Sequence, residues 1–369
     1  MRIAFLVKAL YAVGNPANGV AIQAQSQAKA LTNLGHEVVL LNPWEWHDVR
    51  HFDVVQFFFG GLGLAGVEGL ANRIEHGVLI FAPILDSNEP NLLFRIAAAL
   101  GGLHSKLISI QGEYRKQALA SDAVVCRSTH EQARVIKGLG IAADRTAIVL
   151  NGVQVPENLS NQSGRWDSLR ERWDLEDDFL LHVSQYTSHR KNVARLIEAV
   201  GPLGHPLVVA GWAQQGAMLR RLHELAAKYP HIRLLGYLGR EDLSTLYARC
   251  RAFCLPSLHE GTGLAALEAA GYGAKVVVTK NGGPPDYFRS YASYVDPYNV
   301  SSIRKGTVRA LQMPWTEELS HHVRTNLTWE KSAKGLLAVY ERALARKAAV
   351  LAGSRKRSLN AFPDDGGAR

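Results

Sequence analysis

Short apolar runs alternate with longer amphipathic stretches along this chain of 369 residues, and the alternation constrains its fold more than any other feature. In the first part of the chain, the apolar runs predict strands at residues 3–7, 37–41, 54–58, 78–82, 123–126 and 147–150. Helical periodicity predicts helices at residues 21–34, 92–100 and 131–139. Strands that alternate with helices pair in parallel through crossover connections, so we expect an α/β domain.

A second alternating set follows a polar segment at residues 155–178. Its predicted strands are residues 179–183, 207–210, 232–235, 252–255 and 275–279, and its predicted helices are residues 193–200, 215–228, 240–249 and 264–271. We therefore predict two doubly wound domains, residues 1–154 and 179–328, which face each other across a cleft, with residues 155–178 as the linker. Ligands of doubly wound folds bind beyond the carboxyl ends of the strands, which places the expected site in that cleft.

Two glutamates, Glu260 and Glu268, stand with seven residues between them. Glu260 follows an apolar, strand-like run, and the turn Gly261-Thr262-Gly263 leads from it into a predicted helix. Backbone N–H groups at a helix N-terminus can hold phosphate, and carboxylates accept hydrogen bonds from sugar or ribose hydroxyls. Phosphate and polyol bound side by side indicate a nucleotide sugar. The alternatives are that Glu260 only caps the helix and that Glu268 is an ordinary carboxylate on its face.

This stretch resembles the E-x7-E motif of the retaining glycosyltransferases of family four, and further motifs of that family follow in the same order over residues 1–345. They are Asn18-Gly19-Val20, Gly35-His36-Glu37-Val38, Asn151-Gly152-Val153, Leu181-His182-Val183-Ser184, Lys191-Asn192, Leu235-Gly236-Tyr237, Pro256-Ser257, Gly282-Gly283, Asp296-Pro297 and Trp329-Glu330. The resemblance implies the α/β fold called GT-B, in which two Rossmann-like domains face each other. It also implies that a last helix, at residues 329–347, packs back on the first domain.

The resemblance assigns roles to the two acids and to the turn between them. Glu260 is expected to be catalytic, because the family's first acid lies against the donor sugar and helps to stabilise an oxocarbenium-like transition state. Glu268 is expected to hold the ribose hydroxyls of the nucleotide. Thr262, Gly263 and Leu264 are expected to offer backbone N–H groups to the pyrophosphate.

Two other loops match family positions on either side of the cleft. Tyr237 and Leu238 match the loop in which family members hold the base through backbone groups. Gly19 is expected to meet the donor phosphate and Asn18 to lie on the acceptor side. A plain turn between a strand and a helix would explain Asn18 and Gly19 equally well.

The positions predicted to bind phosphate depart from the family at one place. Where the family usually has an arginine, at the end of a strand, this chain has Gln185. Lys191 matches the family's lysine in the following loop and is expected to be the main cation on the pyrophosphate, with Arg190 as a helper. The alternative is that Lys191 and Arg190 are solvated loop residues.

The acceptor side departs from the family as well. The family often carries a histidine after the strand that corresponds to residues 78–82, and this chain has none there. Asp86 is the ionisable residue of that region before Glu89. Asp86 is predicted to line the acceptor side, or else to cap a turn before Pro90.

The cysteines and the charge distribution indicate in which compartment the chain works and which partners it can have. The chain has three cysteines, Cys126, Cys250 and Cys254, which give no disulfide framework and indicate a reducing cytoplasm. The net charge is +9, and basic residues concentrate near the C-terminus at Arg342, Arg346, Lys347, Arg355, Lys356 and Arg357. These residues either keep the chain soluble or contact an anionic membrane at its inner face, and no nucleic-acid-binding motif accompanies them. Residues 354–369 are expected to be disordered.

The sequence therefore predicts a retaining glycosyltransferase that moves a sugar from a nucleotide-sugar donor, UDP- or GDP-linked, to a hydroxyl of a saccharide or lipid-linked acceptor. We expect no separate cofactor and no metal, because helix N-termini and cationic side chains take the place of a metal ion. Two alternatives remain at this point. One is a non-catalytic GT-B subunit that partners an active transferase, and the other is a nucleotide-sugar epimerase.

Overall fold

The computed structural model describes residues 1–7, 18–42, 45, 47–58, 66–74, 76–101, 109–155 and 163–359. Within these residues the strands form two parallel six-stranded sheets, one in each half of the chain. Helices cover both faces of each sheet, so that the central strands are buried on both sides.

The first sheet contains the strands of the first half of the chain. They are β1 (Arg2–Leu6), β2 (Glu37–Leu40), β3 (Val54–Phe58), β4 (Val78–Ala82), β5 (Ala123–Cys126) and β6 (Thr146–Ile148), in the order β2-β1-β3-β4-β5-β6. The helices between them are α1 (Gly19–Asn33), α2 (Asn91–Leu100), α3 (Ile110–Ala120) and α4 (Thr129–Leu139). Every residue of β3 and β4 is buried, because α1 packs on one face and α2, α3 and α4 pack on the other.

The second sheet has the order β12-β11-β10-β7-β8-β9. Its strands are β7 (Leu180–Val183), β8 (Leu207–Ala210), β9 (Ile232–Gly236), β10 (Ala252–Leu255), β11 (Lys275–Thr279) and β12 (Ser293–Val295). Its helices are α5 (Ser163–Trp173), α6 (Val193–Val200), α7 (Ala217–Ala226), α8 (Arg240–Arg249), α9 (Leu264–Gly271), α10 (Pro284–Phe288), α11 (Val300–Gln312) and α12 (Glu318–Asn326), and α13 (Trp329–Leu359) follows. Helices α6, α7 and α11 pack on one face, and α5, α8, α9 and α12 pack on the other.

The two parallel sheets confirm the predicted α/β class and its paired doubly wound arrangement. Strands β3, β4, β5, β8, β10 and β11 coincide with the predicted ranges. The order of the second sheet places the end of β10 beside the ends of β7 and β11, so the loops that follow these three strands meet at one edge.

Helix α5 lies inside the segment that the sequence predicted to be a linker. Trp166 and Leu169 are buried in the core of the second half, and the Trp166 ring stacks on Phe179 with ring centroids 5.6 Å apart. The Trp166 indole N–H also donates to Asp177 Oδ1 at 2.8 Å. The few apolar side chains of this segment are thus spaced to face one core, and the polar residues between them concealed the helix.

Helix α13 packs on the first sheet, opposite α2, α3 and α4. Its Tyr340 hydroxyl donates to Gln56 Oε1 at 2.7 Å in the buried core, and its Lys347 Nζ donates to the Ile74 carbonyl at 3.3 Å. Arg346 pairs with Asp144 at 3.3 Å. Two of the basic residues near the C-terminus, Arg346 and Lys347, therefore hold the helix against the first half of the chain.

The helix also continues to Leu359, beyond residue 354, where the sequence predicted that order would end. Residues 360–369 of the predicted tail lie outside the described residues. Among the helices that are described, none combines the length and the apolar character needed to cross a membrane.

Candidate active site

Glu260 lies in the loop between β10 and α9, and its backbone is paired with the loop after β11. The Glu260 N–H donates to the Asn281 carbonyl at 3.1 Å, and the Gly283 N–H donates to the Glu260 carbonyl at 2.9 Å. Gly282 has φ +103°, and a Cβ atom built on it would come within 2.0 Å of the Glu260 carbonyl oxygen. Glycine is therefore required beside Glu260, and the pairing fixes the position of the acid's main chain.

The Glu260 side chain is 5% exposed and binds two cations. Its Oε1 accepts a hydrogen bond from Lys191 Nζ at 2.6 Å and lies 3.4 Å from Arg190 Nη1. Burial alone would raise the pKa of this carboxyl, but Lys191 and Arg190 outweigh burial and hold the pKa at about 2. Glu260 is therefore a fixed negative charge at neutral pH, placed where it can stabilise positive charge on a bound ligand.

Both cations belong to one turn of 3-10 helix, His189–Lys191, which follows β7. The turn is held against the Glu260 loop, because the Leu258 N–H donates to the Arg190 carbonyl at 2.8 Å and Arg190 Nη1 donates to the His259 carbonyl at 2.8 Å. Burial lowers the pKa of Lys191, whereas the nearby carboxylate of Glu260 raises the pKa of Arg190. Neither side chain is a freely solvated loop residue.

Gln185 is exposed just beyond the end of β7, and its carbonyl accepts a hydrogen bond from the Ser188 N–H at 3.0 Å. The cationic character of this edge therefore comes from Lys191 and Arg190. These two residues, with Glu260, are the members of the predicted site that the structure gathers most closely.

Helix α9 begins with a bare N-terminus directly after the Glu260 loop. Gly263 adopts the left-handed conformation with φ +79°, and no side chain caps the helix. The first N–H groups of a helix have no partner within the helix, and the dipole there is positive, so this end can receive an anion. A Cβ atom built on Gly19 would lie 3.8 Å from Leu264 Cδ1, which shows that the predicted residues Gly19 and Leu264 meet between the two halves.

Thr262 is buried, and its side chain joins a polar network between the two halves of the chain. Its Oγ1 lies 3.1 Å from Asn151 Nδ2 and 3.3 Å from the Tyr287 hydroxyl, and Asn151 Nδ2 also donates to Gln23 Oε1 at 3.1 Å. Because the hydroxyl is engaged there, the predicted contact of Thr262 with phosphate rests on its backbone N–H.

Glu268 lies on α9 and is partly buried against α8. The nearly inaccessible Tyr247 hydroxyl donates a hydrogen bond to it. Burial raises the pKa of Glu268, and the bond from Tyr247 and the charge of Arg240 oppose that rise. A carboxylate with one protein donor still has lone pairs for other hydroxyls, so the ribose role stays a prediction that this geometry allows.

The loop after β9 borders a pocket of about 450 Å³. Tyr237 is 55% exposed and lines this pocket together with Tyr186 and Trp212. The Leu238 side chain is instead buried in the core of the second half. Any contact of Leu238 with a base would therefore be made by its backbone, as the sequence prediction assumed.

Asp86 of the first half lies against the Glu260 loop. Its Oδ1 accepts a hydrogen bond from Arg127 Nη2 at 2.9 Å, and a Cβ atom built on Gly261 would come within 2.4 Å of the same oxygen. Burial would raise the pKa of Asp86, but Arg127 and Arg190 lower it below its usual value. The structure thus brings Asp86 to the junction of the two halves, beside the predicted catalytic acid.

Asn18 caps its own helix, because its Oδ1 accepts a hydrogen bond from the Val20 N–H at 2.9 Å. This contact is the one that a plain turn before α1 requires. A role for Asn18 on the acceptor side stays a prediction.

Two residues at the junction were missed by the sequence analysis, Arg127 and His259. Arg127 Nη2 is 2.9 Å from both Asp86 Oδ1 and Glu131 Oε1, and its side chain is 9% exposed. Its position directly after β5 was the available signal, since ligands of such sheets bind beyond the carboxyl ends of strands. His259 directly precedes Glu260 and is buried, which the sequence alone does not reveal.

No group of three or more His, Cys, Asp or Glu side chains is arranged to hold a metal ion within the described ranges. The cationic side chains around the Glu260 loop include Lys191, Arg190 and Arg127, and the N-terminus of α9 follows the same loop.

Part of the second half of the chain matches a known protein family. Residues 167–328 match the family described as glycosyl transferases group 1. Among curated relatives, the serotype-specific mannosyltransferase WbdA of Escherichia coli is 31% identical over 202 residues, which are 52% of this chain and 24% of that protein. The chain thus spans about a quarter of the length of this relative.

Two solved structures share the arrangement of both halves. Sucrose-phosphate synthase from Thermosynechococcus elongatus has a TM-score of 0.71 at 15% identity and covers 94% of this chain and 100% of its own. Anabaena HepE in complex with UDP and glucose has a TM-score of 0.56 at 16% identity and covers 96% of this chain and 100% of its own. Likeness at such identities concerns the fold, which is GT-B as predicted. The match of residues 167–328 to glycosyl transferases group 1 supports the resemblance to the family-four glycosyltransferases.

Proposed function

We propose that this chain, which has the GT-B fold and a group 1 glycosyltransferase region at residues 167–328, is a retaining glycosyltransferase. It transfers a sugar from a nucleotide-sugar donor to a hydroxyl of a saccharide or lipid-linked acceptor. The observation that carries the proposal is the buried, ionised Glu260, which pairs with Lys191 and Arg190. The loop of Glu260 leads directly into the uncapped N-terminus of α9. A carboxylate, two cations and free helix N–H groups in one place suit a sugar joined to a pyrophosphate.

In this proposal, the donor pyrophosphate is bound by α9 and by the Lys191 and Arg190 side chains. These groups stabilise the negative charge that grows on the leaving phosphate, so no metal ion is needed. Glu260 stabilises the positive charge that develops on the sugar ring. The leaving phosphate takes the proton of the acceptor hydroxyl on the same face of the sugar, which retains the anomeric configuration. Catalysis then depends on positioning and on charge stabilisation.

The donor is proposed to carry mannose or glucose on GDP or UDP. The support comes from two similar proteins, since WbdA is a mannosyltransferase by its name and HepE was crystallised with UDP and glucose. Asp86, placed opposite Gly261, is proposed to line the acceptor side.

Apolar surface on α2 favours a lipid-linked acceptor over a soluble saccharide. Helix α2 begins shortly after Asp86, and its large side chains Leu92, Leu93, Ile96 and Leu100 are each 46% to 68% exposed. Such a cluster next to the acceptor side can contact the lipid of the acceptor or the bilayer that holds it. The chain is then proposed to work at the cytoplasmic face of a membrane. The double substitution Leu92→Ser and Leu93→Ser should weaken binding to vesicles of anionic phospholipid. Unchanged binding would contradict this part of the proposal.

A non-catalytic binding subunit is the competing function, because Gln185 replaces an arginine that the family usually has. Lys191 and Arg190 supply two positive charges at the same edge, which favours turnover. The purified chain is incubated with GDP-mannose or UDP-glucose and with a saccharide acceptor. Detection of released diphosphate and of the glycosylated acceptor by NMR separates the two functions. Release of diphosphate in the presence of EDTA, with a product whose sugar keeps the anomeric configuration of the donor, supports the transferase. Binding of the donor, seen as a thermal shift, without any release or transfer supports the subunit.

A further inference from the structure

At the predicted catalytic site, His259 is a buried histidine whose ring makes no hydrogen bond to the described residues. The residue is 3% exposed, and neither ring nitrogen has a hydrogen-bond partner among the described residues. Buried polar side chains are nearly always hydrogen-bonded in folded proteins, so a ring with two unpaired nitrogens is unusual.

Two other buried histidines of this chain show what a structural role looks like. His182 binds the Cys254 carbonyl through Nδ1 and Ser184 Oγ through Nε2, each at 2.7 Å. His322 Nε2 binds the Tyr287 carbonyl at 3.0 Å, and its Nδ1 lies 3.2 Å from Asn326 Nδ2. Both nitrogens are thus used where a histidine serves the core, and His259 differs from both.

The position of His259 is fixed by contacts on several sides. Its carbonyl accepts a hydrogen bond from Arg190 Nη1 at 2.8 Å. Its ring lies 5.3 Å from the His130 ring of the first half, centroid to centroid, and its Cε1 would be 3.0 Å from a Cβ atom built on Gly282. The imidazole therefore stands at the junction of the two halves, on the loop that carries Glu260.

The chemistry of the ring suits a hydroxyl. Burial lowers the pKa of His259 to about 4, so the imidazole is neutral at pH 7. A neutral imidazole has one N–H donor and one acceptor nitrogen, and a sugar hydroxyl likewise both donates and accepts. The two groups can satisfy each other without any net charge.

We propose that His259 recognises a hydroxyl of the donor sugar. This inference rests on the proposed function, since it needs a nucleotide sugar at Glu260. The donor is favoured over the acceptor because His259 shares its loop with Glu260 and is tied through its carbonyl to Arg190, one of the two cations proposed for the pyrophosphate. His259 then helps to choose the sugar, while Lys191, Arg190 and α9 bind the diphosphate common to all donors.

The test compares the affinity for GDP-mannose and UDP-glucose with that for GDP and UDP by calorimetry, in wild type and in His259→Phe. Phenylalanine keeps an aromatic ring beside His130 and removes both nitrogens. We expect the affinity for the bound nucleotide sugar to fall about tenfold, as for one lost buried hydrogen bond, with the affinity for the diphosphate unchanged. His259→Gln, whose amide also donates and accepts, should recover part of the loss and guards against a folding defect of the phenylalanine variant.

His130→Phe is the matched control, because it alters the other ring of the same contact. Equal losses for nucleotide sugar and diphosphate, or equal effects of His259→Phe and His130→Phe, would show that the pair only packs the junction and would overturn the inference. An unchanged ratio of the two affinities in His259→Phe would do the same. A wild-type protein that binds none of the four ligands would instead refute the proposed function, and the inference with it.

Discussion

Glu260→Gln is the most informative single change, because it removes one negative charge from a buried group that contains two cations. The pKa of Glu260 lies at about 2 instead of 4.5. At 1.36 kcal/mol for each pKa unit, the ionised form stabilises the folded chain by about 3 kcal/mol at neutral pH. Glutamine resembles the protonated acid in shape and charge, so we expect the variant to be less stable by about that amount at pH 7.

The pH dependence gives the sign of this effect. The folded-state pKa is below the unfolded value, so the contribution of Glu260 is fully present above about pH 5 and is lost as pH falls towards 2. The difference in unfolding free energy between wild type and variant should therefore be constant from pH 5 to pH 8 and shrink to about 1 kcal/mol at pH 3. Urea unfolding followed by circular dichroism measures it. Glu241→Gln is the matched control, since Glu241 is exposed where it pairs with Arg165 and should change stability by less than about 1 kcal/mol.

Ligand binding and turnover should move in opposite directions in Glu260→Gln. Lys191 Nζ bonds Glu260 Oε1 at 2.6 Å in the free protein, so a diphosphate has to share this cation with the carboxylate. Without the carboxylate, GDP or UDP should bind at least as tightly as to wild type, while transfer falls about a hundredfold or more. The reasoning is refuted if the folded variant turns over at the wild-type rate, or if diphosphate affinity is lost together with turnover.

Three further predictions concern other parts of the proposed site. Lys191→Ala should lower the affinity for GDP or UDP by about tenfold or more and leave the affinity for the bare nucleoside unchanged in calorimetry. Equal losses of affinity for both would show that Lys191 does not bind the phosphates. Glu268→Ala should weaken the diphosphate and the nucleoside alike, by roughly 1.5–3 kcal/mol, because the ribose is common to both, and unchanged affinities would remove its ribose role. Deletion of residues 355–369 should spare turnover on soluble substrates and reduce binding to anionic vesicles at low salt, since each basic residue near such a surface contributes about 1 kcal/mol, and unchanged vesicle binding would leave this segment without a membrane role.

Elements whose side chains face one uniform environment were predictable from the sequence. Strands β3 and β4 are buried on both faces, so their apolar runs marked their ends correctly. Helix α5 was missed because its two buried residues, Trp166 and Leu169, stand in a polar background. The local composition of a segment indicates how much of it is exposed to solvent. It gives less information on which of its few apolar side chains are buried in a core built from distant parts of the chain.

The candidate site divides in the same way. The family motifs pointed to Glu260 and Lys191, and Arg190 was expected as a helper beside Lys191. Their convergence on one carboxylate oxygen joins residues about seventy positions apart and follows from the packing of β7 beside β10. In the first half, Arg127 and Asp86 are likewise joined although they stand 41 positions apart. The unpaired state of His259 depends on burial between the two halves, which no pattern in its own neighbourhood encodes.

The chain passes between its two halves at two places that lie side by side. Val153 forms a parallel bridge with Thr328, and a Cβ atom built on Gly152 would come within 2.2 Å of the Thr328 backbone. Because α13 completes the core of the first sheet, the second half is an insertion within the first, with its entrance and exit adjacent. The second half is one continuous stretch of chain, so it can be exchanged by two cuts that are close in space. The first half is instead built from two stretches that are distant in the sequence. Recombination at these two points would exchange the second half and leave the first half in place.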